Sequence, residues 1–288
     1  MAYIHFSFDT KKQKGAGATK PALRLYPLVC MHVGSPQCDM RFLKAQIARI
    51  ENDPSGRWVY MGDGGECVTK LSRGDVYGQL LSPQQQMECL LDLLRPIASK
   101  GLFGIRGNHG NRIYKESGLS FDHNLCSQLG LPYLGVAAMA NIVVNRSSYD
   151  LYFHHGIDSG TPVTSKVKRA EDFMRFINAD AVFTAHSHVA MELPPAVLLQ
   201  ADNNARRVFT RLRHQYICGS AYDSRTGYAE DRGYPPLLPS YISVEFDGRI
   251  IEGRAVKGQK FERYQSDGQH ELRHDYILPY LENQPDNG

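Results

Sequence analysis

The 288-residue chain has no run approaching the roughly 20 apolar residues of a membrane-spanning helix. No apolar stretch follows Lys11, Lys12 and Lys14, as it would in a secretory signal. Both absences point to a cytoplasmic protein with no membrane partner. The six cysteines, Cys30, Cys38, Cys67, Cys89, Cys126 and Cys218, form no CxxC pair, which argues against a zinc ribbon and against a disulfide framework. Charge of one sign is barely in excess: 33 Lys and Arg against 30 Asp and Glu give a formal +3, which fits a phosphate-bearing substrate without requiring one. Internal repeats, low-complexity tracts and convincing linkers are also missing. A single domain is therefore expected over 24–262, after a polar lead-in at 1–23 and before a C-terminal extension at 263–288.

What is present is a strand and helix rhythm. Gly15, Gly17 and Pro21 delay the first regular element, after which 23–29 is an apolar strand. Asp39 is a good N-cap, the spacing of Leu43, Ile47 and Ile50 makes one apolar helical face, and Pro54 and Gly56 end it before a short strand at 58–61. Ser82 and Pro83 start a second helix, with Met87, Leu90, Leu91 and Leu94 on its buried side and a strand at 102–105 after it. Such alternation implies parallel pairing, with ligands at the carboxyl ends of the strands. Beyond Pro132 the runs 136–144 and 149–153 read as an antiparallel pair, followed by a helix at 165–177 and strands at 181–184 and 215–218. Asp247 and Gly248 predict a hairpin joining 241–246 to 250–256. The expected fold is α/β, a four-layer αββα sandwich of two mixed β-sheets flanked by helices.

Metal-ligand residue types end one hydrophobic run after another: Cys30-Met31-His32, Gly62-Asp63, Gly107-Asn108-His109, His154-His155-Gly156 and His186-Ser187-His188. Six of the eleven histidines fall in these five stretches, too many for scattered core histidines. Two divalent ions need carboxylate, amide and imidazole ligands brought together from several strands, and Asp63, with two oxygens and a full charge, is the candidate bridge. His154 and His155 face opposite sides of a strand, so only one of them is expected to bind metal.

In order and spacing the series CMH, GDGGE, GNH, HHG and AHSH, from about residue 28 to 190, resembles the calcineurin-like metallophosphoesterase family, whose pattern is DxH, GDxxD/E, GNH, a histidine before Gly, and GHxH. The stretches from His32 to Pro36, from Arg106 to Arg112 and around Gly227 and Gly233 resemble most closely a subgroup common in bacteriophage and prophage genomes. The resemblance implies a phosphoesterase with two divalent ions (Mn, Zn, Fe or Ni) that hydrolyses a P–O bond by attack of a metal-bridging hydroxide. It places Cys30, His32, Asp63 and His188 around metal A, and Asp63, Asn108, His155 and His186 around metal B. His109 is expected to protonate the leaving group or steady the transition state, Glu66 to orient His109, and Asn108 to meet substrate. Apart from the resemblance, the bidentate fork of Arg112 suits either a substrate phosphate or an ion pair with a local carboxylate.

The family pattern has Asp where this chain has Cys30. Three outcomes stay open at this point: a thiolate ligand for zinc or iron, a silent core thiol beside a weaker site, or an empty site A. Gly110 stands where many members of the family carry an acidic residue, and Ala185 where they carry Gly. The favoured substrate is a phosphodiester in a nucleotide or nucleic acid. Alternatives are a DNA-repair-type nuclease, for which the hundred residues after His188 look short of a large cap, and a phosphomonoesterase or protein phosphatase, disfavoured because Cys67 rather than Arg follows Glu66. A non-catalytic phosphate-ligand-binding relative with a defective site A is the third. Tyr222, Tyr228 and Tyr234 either stack on a base or order a Gly/Pro-rich loop. Nothing in the sequence bears on oligomeric state.

Overall fold

The computed structural model describes residues 1–10, 22–72, 75–156, 163–202, 207–231, 233, 235–251, 254–255 and 257–266. In chain order the elements are β1 (Ala2–Phe8), β2 (Ala22–Leu28), α1 (Met40–Asn52), β3 (Gly56–Tyr60), α2 (Pro83–Leu94), a 3-10 turn (Arg95–Lys100) and β4 (Gly101–Gly104). There follow α3 (Gly110–Ser117), α4 (Phe121–Gln128), β5 (Ala137–Val144), β6 (Ser147–His154), α5 (Val163–Phe176), β7 (Ala181–Thr184), β8 (Ala190–Asp202) and β9 (Arg207–Ser220). The chain continues through α6 (Tyr228–Asp231), β10 (Ser240–Asp247), β11 (Ile250–Ile251), β12 (Arg254–Ala255) and β13 (Gln259–Gln265).

Helix starts follow local chemistry. Asp39 accepts from Phe42 N at 2.9 Å, and Ser82 with Gln85 forms a reciprocal capping box. The expected apolar face of α1 is buried through Leu43, Ile47 and Ile50, and that of α2 through Leu90, Leu91 and Leu94.

The strands form a mixed, curled sheet in order β1-β5-β6-β7-β9-β10-β2-β3-β4, with β8 added to β9 and β13 to β10. Strands β2, β3 and β4 run parallel in one half, and β6 and β7 run parallel in the other. Among the described residues the strands of the two halves pair where Ser240 and Tyr241 of β10 meet Ser220 and Gly219 of β9. Across that narrow link they face one another: Phe103 of β4 packs edge-on to Phe153 of β6 at 5.2 Å and stacks on Phe6 of β1 at 6.4 Å, and Tyr149 of β6 meets Phe246 of β10 at 5.0 Å. Helices α1, α2 and α4 cover the outside of one half, and α5 covers β7 and β9 on the other. The mixed α/β layering is thus the expected one, with the two sheets joined into one. Among the described residues no helix is long and apolar enough to cross a membrane.

Two expectations are corrected. The lead-in holds a regular element before Gly15: Ala2–Phe8 is a strand pairing in parallel with all of Ala138–Val144 on β5. Its inward positions are only half buried, so the alternation is faint in hydrophobicity. The hairpin at Asp247 and Gly248 does not join β10 to 250–256. Asp247 N donates to Gly258 O at 2.9 Å, β10 takes β13 as its antiparallel neighbour, and Ile250–Ile251 folds onto Arg254–Ala255 as a separate small ribbon. The Tyr149 hydroxyl, 2.7 Å from Asp247 O and 3.2 Å from Gly258 O, pins the base of that excursion. Strand β13 also runs past 262, and 267–288 lie outside the described residues.

Candidate metal centre

Five strands end at one rim: β2 before Cys30 and His32, β3 before Asp63, β4 before Asn108 and His109, β6 at His154 with His155 following, and β7 before His186 and His188. Cys30, His32, Asp63, His186 and His188 all have positive φ, between 46° and 65°, and Gly156 after His155 is at 103°. A non-glycine residue in this region costs about 1–3 kcal/mol and persists only where the surroundings over-determine it. Five such residues on one rim mark a built site.

The loops are stitched together by main chain. Cys30 N donates to Gly62 O (3.1 Å), His32 N to Asp63 O (3.1 Å) and Ala185 N to His155 O (3.1 Å). Gly62 and Gly107 touch so closely that a Cβ on Gly62 would lie 2.2 Å from Gly107 N, and one on Gly107 would lie 2.1 Å from Asp63 Oδ1. No side chain fits at either position, which explains why glycine precedes both Asp63 and Asn108.

Asp63 is buried and takes His109 N–H on Oδ1 at 2.7 Å. Its other oxygen, Oδ2, lies 2.9 Å from His155 Nε2 and 4.0 Å from His186 Nδ1. His155 Nδ1 is 2.6 Å from Met61 O. A carbonyl only accepts, so Nδ1 carries a proton, and when the ring is neutral Nε2 turns a lone pair toward the Asp63 carboxylate. Two acceptors at that distance need a proton or a cation between them. Burial opposes a second proton on His155, but Asp63 outweighs it and raises the pKa. Asp63 Oδ2 and His155 Nε2 thus face one another, both buried, across 2.9 Å that a proton or a cation fills. For Asp63 burial works against ionisation, but His155, His109 and His32 hold it well below the usual carboxylate range.

The second cluster is similar. His32 Nδ1 donates to Glu66 Oε2 at 2.9 Å, leaving Nε2 to face His188 Nε2 at 3.1 Å. Two nitrogens on one tetrahedral ion, with bonds of about 2.0–2.1 Å, stand about 3.3 Å apart. Cys30, His32 and His188 have ligand atoms mutually within 4.8 Å, as have Cys30, Asp63 and His155. Burial, then the Asp63 carboxylate, pushes the Cys30 thiol up, while burial and then His32 hold His188 well below the ordinary histidine value. The ring of Tyr222 packs on His32 and His188, 5.3 Å from each. Tyr234 and the Tyr228 side chain lie outside the described residues.

The structure turns the two adjacent histidines apart. His155 faces Asp63, whereas His154 packs on Phe173 at 4.7 Å and accepts Gly156 N–H at 2.8 Å. Asn108 is exposed at the mouth, beside His109. His109 Nδ1 donates to the main-chain carbonyl of Glu66 at 2.8 Å, and its Nε2 accepts from Arg112 Nη2 at 3.1 Å. The Glu66 carboxylate, expected to orient His109, is 3.6 Å from it and hydrogen-bonds His32 instead. Glu66 therefore steadies both rings, one by its side chain and one by its backbone; the clustering of His32, Glu66 and His109 within 4.8 Å follows from this. Burial lowers the His109 pKa to about 4, so the ring is neutral at neutral pH. Arg112 also reaches Glu66 O at 3.1 Å.

Sequence reasoning missed Asp122 and Tyr60. Asp122 is buried, accepts from Tyr60 Oη at 2.5 Å and takes Gly107 N–H at 3.3 Å, while Tyr60 Oη accepts from Gly64 N at 3.0 Å. The chain from Gly64 through Tyr60 and Asp122 to Gly107 ties the Asp63 loop to the His109 loop from beneath. Burial pushes Asp122 up to about 6. A Cβ on Gly110 would lie 2.5 Å from Asp122 Oδ2. Glycine at 110 leaves room for the Asp122 carboxylate, which arrives from α4.

No protein-family model matches the chain, and no curated protein does. Among solved structures it is similar to Vps29 of Chaetomium thermophilum (13% identity, TM-score 0.38, covering 85% of this chain and 98% of that one). It is also similar to a hypothetical protein of Pyrococcus horikoshii (10%, 0.43, 92% and 95%) and to a conserved uncharacterized protein, a predicted phosphoesterase, of Streptococcus pneumoniae (11%, 0.34, 85% and 98%). These similarities are distant, and the chemistry of the site is read from its own residues.

Proposed function

We propose that this chain is a calcineurin-like metallophosphoesterase, of the subgroup found in bacteriophages and prophages, that hydrolyses phosphodiesters of nucleotides or nucleic acids with two divalent ions. One observation carries the reading: ligand types from five separate strand ends converge on one rim, where Asp63 Oδ2 and His155 Nε2 lie buried 2.9 Å apart. In this reading His32 and His188 belong to one seat, His155, His186 and Asn108 to the other, and Asp63 lies between. Ions held there supply Lewis acidity toward a phosphoryl oxygen and bring a water molecule into the neutral pKa range.

The protein's own groups do the rest. Asp63 keeps its charge because three imidazoles surround it. Glu66 fixes the tautomer and plane of His32, as a carboxylate behind a ligating histidine does. His109 and Arg112 form a hydrogen-bonded pair at the rim, where the fork of Arg112 meets non-bridging phosphate oxygens. Neutral His109, with its Nδ1–H on Glu66 O and its Nε2 accepting from Arg112, holds Arg112 at the rim, and it would protonate a leaving oxygen only after Nε2 had taken a proton from solvent.

The test is hydrolysis of bis-p-nitrophenyl phosphate against p-nitrophenyl phosphate with Mn²⁺, Zn²⁺, Co²⁺ or Ni²⁺. Metal-dependent turnover faster on the diester is expected. Metal binding with turnover of neither ester would make the chain a phosphate-ligand-binding protein, and faster monoester turnover would make it a phosphomonoesterase.

A further inference from the structure

Cys30 is the one ligand position where the chain puts sulfur in place of oxygen, and its surroundings are not those of an inert core thiol. Cys218, for comparison, faces the Met61 thioether at 3.8 Å. Cys30 instead has two imidazoles on one side and a carboxylate with an imidazole on the other, all with ligand atoms within 4.8 Å. Among the described residues no other cysteine belongs to such a cluster. Cys30 is also the member common to both groups. Asp63, the expected shared ligand, accepts the His109 N–H on Oδ1, while Oδ2 faces His155.

We propose that Cys30 ligates as a thiolate, forming with His32 and His188 a sulfur and nitrogen seat for a zinc-class cation, distinct from the oxygen and nitrogen seat at Asp63 and His155. The inference rests on the metal-binding reading above and deepens it by naming which ion the first seat takes. A thiolate carries the same single negative charge as the aspartate it replaces, so the charge of the cluster is kept while its preference moves. Soft sulfur with two imidazoles selects zinc, cobalt or iron over manganese and magnesium. On binding, the sulfur–hydrogen bond breaks, the sulfur–metal bond forms and the proton leaves to solvent.

The test uses the full chain, stripped with a chelator and titrated with Co²⁺ while its absorption is recorded. A near-ultraviolet sulfur-to-cobalt charge-transfer band is expected, saturating at a single equivalent, abolished by added Zn²⁺ and unaffected by excess Mn²⁺. Cys218→Ala keeps the band and Cys30→Ser loses it, whereas Cys30→Asp binds Mn²⁺ in its place, with circular dichroism showing each variant folded. Bound Co²⁺ without the band in the unmodified chain, or a band that survives in Cys30→Ser, overturns the assignment and leaves the phosphoesterase reading standing. Failure to bind Co²⁺ or Zn²⁺ at all overturns both.

Discussion

Glu66 acts on two rings through two different groups, and substitution separates them. Glu66→Gln removes the carboxylate that fixes His32 but leaves the main-chain carbonyl that holds His109. Metal affinity is expected to fall by about 10–100-fold, read by calorimetric titration, because the ligand loses its orienting partner; unchanged affinity would remove Glu66 from this role. His109→Ala should do the opposite, lowering kcat by about 10²–10⁴-fold with bound metal unchanged. Loss of metal in that variant would instead make His109 a ligand. At this scale the side-chain types were legible in the sequence, because few other functions need Asp, Asn and His at the ends of successive strands. Their partners were not: that the Glu66 carboxylate takes His32 at 2.9 Å rather than His109 at 3.6 Å depends on a difference below 1 Å. Asp122 sits in an ordinary helical stretch with no motif around it.

The loops that carry these residues depend on close backbone packing more than on side chains. Gly62→Ala sets a methyl 2.2 Å from Gly107 N at a φ of +88°, and overpacking of this kind costs about 1–3 kcal/mol before the strain is added. A lowered melting temperature together with lost metal binding is expected, since the Asp63 and His109 loops must part to admit it. Asp122→Asn tests the tie beneath them: it should leave metal content in place and lower turnover, and full turnover would show that the tie is dispensable. Elements with strong periodicity, such as α1 and α2, were legible from their apolar spacing. Strand β1 was not, because it lies half exposed, and neither was the base of the β10 excursion, which is set by Tyr149 from another strand.

For the whole molecule, the narrow join between β9 and β10 lets one sheet curl until its two halves face each other, and their strand ends then share a rim. That closure was only implied by the strand rhythm, since no local signal encodes which sheets meet. Its stability should depend on pH through His154, whose pKa is lowered to about 4 by burial and then by His155. Between about pH 6.5 and 4 the unfolded chain takes up a proton that folded His154 refuses, so stability falls as pH falls through that window. In metal-free protein His154→Gln should narrow the difference in melting temperature between pH 7.5 and 4.5; an unaltered difference would contradict this. The account stands most directly on the metal content of the purified chain after equilibration with Zn²⁺ or Co²⁺, measured by mass spectrometry. Two ions per chain, with Asp63→Ala losing at least the one at Asp63 and His155, is the predicted result; no retained ion, or the same content in Asp63→Ala, would contradict it.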